Sequence, residues 1–397
     1  MIVRHFLQWV RTAEAADRAE ATRALARAYL YSDLNEDDRI AAEGAMLMLL
    51  DDASPLVRRA LAEALAASQD APPALVHALV NDQPDIAALM IERSPLLIDS
   101  DLVDMVGAGD ADAQAAIARR AELPRSVAAA IAEVGSAEAC LILIENRYAE
   151  IAPFSLDRMV ERYGQLAAIR EALFALPALP AATRQALVVK LSETLAGFVV
   201  ARQWLEEPRA RRIAQEACEK ATVMLAATSE RGDVCPLVRH LRASGQLTAG
   251  LVLRALLSGN ITLFEQSLSE LAELPVARVS ALVNDRRGAG FKAVYDRAGL
   301  PAPVYPAFRA AIEAMHESGL AAEPGGHARL RRRMVERVLT SCAGLAAPDI
   351  EPLMTLLRRY ATEAAREEAR LFCDELVTFG AREPMAVDYD AFESVAA

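Results

Sequence analysis

The residue types that most often do chemistry are present in this chain but scattered. Five histidines, His5, His77, His240, His316 and His327, stand at least eleven residues apart, so no H-x-x-x-H or H-E-x-x-H pair arises. Glu313 and His316 form one E-x-x-H pair, half of the pattern that holds a di-iron centre in a helical bundle, and no second pair accompanies it. Asp99, Asp101, Asp104, Asp110 and Asp112 cluster where helices should begin, and a calcium loop would need more oxygens and a defined glycine turn, so capping accounts for them. Gly288-Ala289-Gly290 is too short for a dinucleotide fingerprint, and neither a phosphate-binding G-x-x-x-x-G-K-[ST] loop nor a G-x-S-x-G elbow occurs. No two of the cysteines Cys140, Cys218, Cys235, Cys342 and Cys373 fall within three residues, which leaves no zinc knuckle or C-x-x-C redox pair. The sequence therefore assigns no catalytic, cofactor-binding or metal residue and weighs against an enzyme.

Arginine is the chemistry that remains. Met90-Ile91-Glu92-Arg93, Ile117-Ala118-Arg119-Arg120 and Ile144-Glu145-Asn146-Arg147 superpose with their arginines 27 residues apart, and Leu61-Ala62-Glu63 fits a fourth copy 29 residues before the first. Arg93, Arg120 and Arg147 are candidate partner-binding residues if they form a ladder on one surface. The alternative is that each satisfies the last carbonyls of a helix, where a cation is favoured by the helix dipole. A second cluster, Arg329, Arg331, Arg332, Arg333 and Arg337, places 329, 332, 333 and 336–337 on one helical face. Arg329, Arg332 and Arg333 are candidates there, and three accounts compete: a solvated face offset by Glu336, an intramolecular or partner acidic contact, and nucleic acid.

The elements that must position these residues are helices. Asp52, Ser54 and Pro55 open a helix through Val57, Leu61 and Leu65, a cap followed by a first-turn proline and an apolar stripe. Asp82, Asp110 and Ser136 open one helix of each unit and Pro73, Pro95 and Pro124 the other. A period of 27–29 holds two helices of about ten residues and two tight turns. A single pair cannot bury its apolar face, so neighbours must stack, which predicts a HEAT-like α-solenoid. Helices are expected next at 165–176, 181–203 and 209–228, then a boundary at Thr228–Pro236. Short helices begin at Thr248, at Asn260 or Thr262, and at Pro275; the Arg286–Gly290 turn leads into Phe291–Tyr295. The expected whole is all-α: a HEAT-like repeat domain at 1–228, a compact helical domain at 236–320 and, after a flexible segment at Ala321–His327, a C-terminal hairpin and acidic tail at 328–397.

Composition narrows the possibilities further. Of 397 residues, 53% are hydrophobic, enough to exclude a disordered chain. No apolar run reaches the roughly 18 residues that a membrane span needs. A net charge of −12 argues against a protein built mainly to hold nucleic acid phosphates. Widely spaced cysteines of odd number, behind an amphipathic first helix whose apolar stretch Trp9 and Arg11 interrupt, predict reduced thiols in the cytoplasm.

From Leu241 onward, Leu247-Thr248, Leu251, Arg254-Ala255-Leu256, Gly259, Phe264-Glu265, Leu271, Pro275, Arg278-Val279, Asp285, Gly299-Leu300-Pro301 and Phe308 form an ordered series. This series resembles the signature of a bacterial helical family known only as a domain of unknown function. Ser54-Pro55-x-Val57-Arg58, Glu92-Arg93-Ser94-Pro95-Leu96-Leu97 and Ile117-Ala118-Arg119-Arg120 resemble its HEAT-type N-terminal half; Leu263, where a second aromatic is expected, departs from it. The resemblance spans about residues 40–315 and implies a fold without a catalytic residue or cofactor. The 27-residue period and the empty search for catalytic groups point to a protein–protein interaction scaffold or regulatory adaptor whose partner is another protein or peptide rather than a membrane or nucleic acid. The competing reading is a HEAT-like DNA-binding or DNA-repair enzyme, which needs a basic concave face, and a weaker third is a small-ligand sensor.

Overall fold

The structure, a computed structural model, describes residues 8–285, 289–318, 326–343 and 351–380, together with residue 6. Among the described residues the regular elements are all helical, apart from one isolated parallel bridge between Leu123 and Ala149. The Arg286-Arg287-Gly288 part of the expected turn, residues 319–325, residues 344–350 and the acidic tail lie outside the described residues. Contacts divide the chain into two compact units, Met1–Leu191 and Ser192–Ala397. The segment 228–236 falls inside the second unit, where only residues 229–230 separate two helices and Pro236 already lies within the second of them.

The first unit contains α1 (Ala15–Tyr31), α2 (Glu36–Leu49), α3 (Pro55–Leu65), α4 (Pro73–Val80), α5 (Pro84–Arg93), α6 (Asp99–Ala108), α7 (Ala111–Ala118), α8 (Arg125–Val134), α9 (Ala137–Glu145), α10 (Pro153–Tyr163) and α11 (Ala167–Phe174). Helices pack two places apart: α1, α3, α5, α7, α9 and α11 form one row, and α6, α8 and α10 form a second. Two successive apolar clusters fill the space between. The first is centred on Met46, Leu61, Leu65, Leu75, Leu79, Ile86 and Met90, the second on Leu102, Val106, Ile117, Val127, Ile131, Leu143 and Met159.

Local sequence explains the helix ends. Asn35, Asp110 and Ser136 each accept a hydrogen bond from the backbone N–H three residues on, at 2.9, 2.9 and 3.1 Å. Prolines stand in the first turns of α3, α4, α5 and α10, where a missing N–H costs nothing. Gly109 and Gly135 close α6 and α8 immediately before the caps Asp110 and Ser136. A Cβ at Gly135 would stand 2.5 Å from the Ile131 carbonyl oxygen, and one at Gly109 would stand 2.3 Å from that of Met105. Glycine at these two matching turns follows from contact, not from chain flexibility.

Ion pairs lock the first helices together. Arg18 grips Asp52 with Nε and Nη2 at 2.9 and 2.8 Å, and Arg58 grips Asp82 in the same way at 2.7 and 3.0 Å. Arg58 also donates to the Asp52 carbonyl at 2.7 Å, which chains the two pairs. Burial pushes both aspartates up, but the arginine hydrogen bonds, the N–H groups of Ser54 and Gln83 and the arginine charges outweigh it and leave both carboxyls below their ordinary range. Asp82 thus serves the second helix less as a simple cap than as the anchor for Arg58.

The second unit begins within α12 (Ala181–Ala201) and continues with α13 (Glu207–Thr228), α14 (Arg231–Ala243), α15 (Ala249–Leu257), α16 (Ile261–Ala272), α17 (Val276–Val283), α18 (Ala289–Arg297), α19 (Tyr305–Ser318), α20 (Gly326–Ala343) and α21 (Glu351–Gly380). Thr248 and Asn260 cap α15 and α16 through the N–H groups of Leu251 and Leu263, and Pro275 precedes α17. Leu251 to Leu257 of α15 are all buried, because α13, α16, α19 and α20 pack around it. An aromatic group of Phe264, Phe291, Tyr295, Tyr305 and Phe308 fills one side, with the Tyr295 hydroxyl donating to the Pro301 carbonyl at 2.6 Å.

Asp82→Ala should cost the first unit roughly 1.5 kcal/mol in denaturant unfolding, less than a fully buried pair because the edge of this one reaches solvent. The folded carboxyl titrates below the ordinary Asp value of about 3.9, so its contribution is complete above that pH and is lost as the pH falls through the folded value. The wild-type advantage over the variant should therefore shrink on acidification and not on raising the pH.

Candidate functional site

The three repeat arginines do not form a ladder. Arg120 turns inward, donating from Nη2 to the Ser94 carbonyl at 2.8 Å and from Nη1 to that of Ile91, at the end of α5 one repeat back. Burial there pushes its guanidinium down, against the charge of Asp99. Asn146, beside Arg147, makes the equivalent contact one repeat later, with Nδ2 donating to the carbonyls of Ala118 and Arg120 at 2.8 Å each. In the second row of helices Arg162, within α10, makes a similar contact with the end of α8, on the carbonyls of Ala132 and Gly135, both at 2.8 Å. These contacts satisfy helix-terminal carbonyls, as one of the two accounts of the spacing expected, but across repeats rather than within a helix. Arg93 and Arg147 are exposed, and Arg93 approaches its neighbour Glu92 at 3.6 Å.

The second arginine cluster is divided by its helix. Arg329 lies in α20, and its side chain is outside the described residues. Arg332 pairs on the surface with Glu336 at 2.7 Å and with Glu368 of α21 at 2.9 Å, and Arg333 is exposed. Arg331, one position round from that face, points inward to Glu367 at 2.6 Å and Glu363 at 3.2 Å. Of the three accounts offered for the cluster, an intramolecular acidic contact describes Arg331 and Arg332.

The carboxylates that receive them frame a site that the sequence reading missed. A cleft of about 780 Å³ opens between α13 and α21, lined by Glu216, Lys220 and Met224 on one side and by Arg358, Arg359, Glu363, Arg366, Glu367 and Arg370 on the other, with Arg254 at its base. Positions 355, 359, 362, 366 and 370 follow the three- and four-residue helical step, which brings one stripe of α21 to the cleft. Arg254 holds the base: its side chain is 4% exposed, and Nη1 donates to Glu363 at 2.8 Å. Its guanidinium carbon lies 4.2 Å from the centre of the Tyr360 ring, whose hydroxyl donates to the Gly250 carbonyl at 3.3 Å. Glu219 stands on the other flank of Arg254, with Oε2 3.8 Å from Nε, beyond hydrogen-bond reach.

This difference in distance sets the electrostatics. Burial raises Glu363, but its hydrogen bond and charge interaction with Arg254, together with Arg331 and Lys220, bring the carboxyl below its ordinary value. Glu219 is also raised by burial, and the looser contact with Arg254 and the hydroxyl and amide donors of Thr248 and Gln215 do not reverse it. Burial likewise pushes the Tyr360 hydroxyl far up, so it stays neutral. One firm ion pair and one frustrated carboxylate therefore sit beneath the cleft.

Six cations and three carboxylates line the cleft in a chain of net charge −12. The carboxylates are already engaged: Glu363 by Arg254, Lys220 and Arg331, Glu367 by Arg331, and Glu216 by Arg359. Arg366 and Arg370 are exposed, and neither has a carboxylate partner among the described residues. The arrangement presents fixed positive charge toward whatever enters. One signal for it stood in the sequence: Leu251-Val252-Leu253-Arg254-Ala255-Leu256-Leu257 puts a single charge inside an apolar helix, which requires a buried partner.

The fold and the cleft define an all-α protein of packed helices carrying an arginine-rich groove. The chain belongs to the bacterial family described as "Uncharacterised protein conserved in bacteria (DUF2336)", whose model matches residues 86–347. The match takes in α13 and α15 and ends before α21, so one wall of the cleft lies beyond it. No curated protein and no solved structure matches the chain.

Arg120→Leu should destabilise the first unit by about 1–3 kcal/mol by orphaning two carbonyls, whereas Arg93→Ala and Arg147→Ala should stay within about 0.5 kcal/mol, as read by urea unfolding. Glu363→Ala should cost the second unit roughly 2–3 kcal/mol, since it strands Arg254. Glu219→Gln should have the opposite pH signature. A carboxyl raised in the fold favours folding when protonated, so wild type should lose stability relative to the glutamine variant as the pH rises past the unfolded value near 4.3 toward the folded one.

Proposed function

We propose that the protein is a cytoplasmic interaction scaffold or adaptor that grips an acidic segment of a partner protein in the α13–α21 cleft. The observation that carries this reading is the pair Arg366 and Arg370, on one face of α21 above an already neutralised ion-pair network. Arginine is suited to the task because its planar fork matches a carboxylate with two parallel hydrogen bonds. The cleft is charged where a pocket for a drug-like molecule is mostly apolar, which favours a polar chain over a small apolar ligand. The two-places-apart packing of α1 to α11 and the backward-reaching contacts of Arg120, Asn146 and Arg162 support a HEAT-type stack, an architecture that presents extended surfaces to peptides and domains. No helix of the described residues is long and apolar enough to cross a membrane.

Fluorescence anisotropy with a labelled glutamate-rich peptide tests the proposal. Binding should weaken at least tenfold in Arg366→Glu/Arg370→Glu, whose exposed positions leave the fold intact, and should fall with added salt. The repeat-arginine variants Arg93→Ala and Arg147→Ala should bind as wild type does. Failure of the wild-type protein to bind acidic peptides at low salt overturns the reading. Preferential binding of duplex DNA, lost in the same double variant and steep in salt, would replace it with the nucleic acid alternative.

A further inference from the structure

The first unit carries a second surface of different chemistry on α2. Positions 40, 44, 47 and 48 recur at the helical step, with position 41 beside them, and their residues are Ile40, Ala41, Gly44, Leu47 and Met48. The opposite face, Ala42, Ala45, Met46 and Leu49, is buried in the unit, so this helix is apolar on both sides. Ile40 is 63% exposed and Met48 56%, and a Cβ on Gly44 would meet nothing within 4 Å. A helix at the surface of a helical stack ordinarily turns a polar face to solvent.

Charge decides what fits against it. Glu36 and Asp37 stand at the N-terminal end of the same stripe and Asp51 just past the C-terminal end, and all three are exposed. The one cation of the helix, Arg39, is held 4.4 Å over the Tyr29 ring of α1, away from the stripe. A second copy of this chain laid antiparallel on the stripe would bring Glu36 and Asp37 against the partner copy's own acidic end, and a parallel copy would bring carboxylates against carboxylates as well. Both arrangements set like charges together at each end of the contact. An anionic membrane surface is disfavoured on the same ground.

We infer that the Ile40–Met48 stripe of α2 docks a basic amphipathic helix of another protein, with apolar anchors at i, i+3, i+4 and i+7 and Lys or Arg at both ends. Leu47 and Met48 supply the central apolar contact, and methionine lets the surface adapt to the anchors it meets. Glu36, Asp37 and Asp51 select against acidic and neutral helices. The acidic clasp on α2 and the cationic cleft between α13 and α21 thus read segments of opposite sign.

The test uses the full chain and three labelled helical peptides that share a leucine stripe and carry Lys, Glu or Gln on the flanking positions. The Lys peptide should bind, and Leu47→Asp and Met48→Asp should each weaken it at least tenfold while circular dichroism stays unchanged. Glu36→Lys/Asp37→Lys should weaken it by a similar factor without touching the apolar stripe. Arg366→Glu/Arg370→Glu should leave it unaltered, which separates this surface from the cleft. Equal binding of the Glu and Lys peptides overturns the inference. So does a self-associated protein, detected by light scattering, that becomes monomeric in Leu47→Asp, and so does attachment to anionic vesicles that depends on Leu47.

Discussion

One guanidinium organises the second unit. Arg254 sits in the middle of α15 with neighbours that are all apolar along the chain, and a charge in that position is tolerable only if the fold supplies a partner. Glu363 supplies it from α21, more than a hundred residues away in sequence, and Tyr360 covers the flat face of the same group. The requirement to neutralise one buried charge thereby fixes where α21 crosses α15 and which of its faces is turned toward α13. Arg366 and Arg370, which face the cleft, stand three and seven residues from Glu363 on the same helix.

The first unit uses the same residue type for another purpose. Arg120 and Arg162 carry their charge to backbone oxygens instead of carboxylates, and they meet the negative ends of helix dipoles in a preceding repeat. Near the start of the chain, Arg18 and Arg58 take carboxylates of the following turns. Arg18, Arg58, Arg120, Arg162 and Arg254 are therefore structural fasteners, and recognition falls to exposed arginines such as Arg366 and Arg370.

The helical character of the chain was legible from local signals. Asp110, Ser136, Thr248 and Asn260 cap the helices they precede, and proline marks the helix starts at Pro55 and Pro73. These are short-range effects, and the residues responsible stand within a turn of what they determine. The 27-residue spacing of Arg93, Arg120 and Arg147 was also visible, but equal spacing does not show direction: Arg120 points in, Arg147 points out, and Asn146 takes the inward role in its repeat. The cleft was out of reach for a related reason. Its walls come from α13, α15 and α21, and nothing in the periodicity of one helix says which distant helix its polar stripe will face. Arg331 makes the point in miniature, since one helical position separates it from the outward arginines and sends it to Glu363 and Glu367 instead.

The backward step of the carbonyl contacts has a consequence for how such a chain can change length. Arg120 reaches 26 and 29 residues back, Asn146 reaches 26 and 28, and Arg162 reaches 27 and 30. A fastener with a nearly constant stride always finds its carbonyls in the preceding module, whichever module that happens to be. An insertion or deletion of about one stride keeps such a donor opposite a helix end, whereas an indel of a few residues parts it from two half-buried carbonyl contacts. The hydrogen bonds of the first unit thus tolerate changes of length by whole strides better than changes of a few residues.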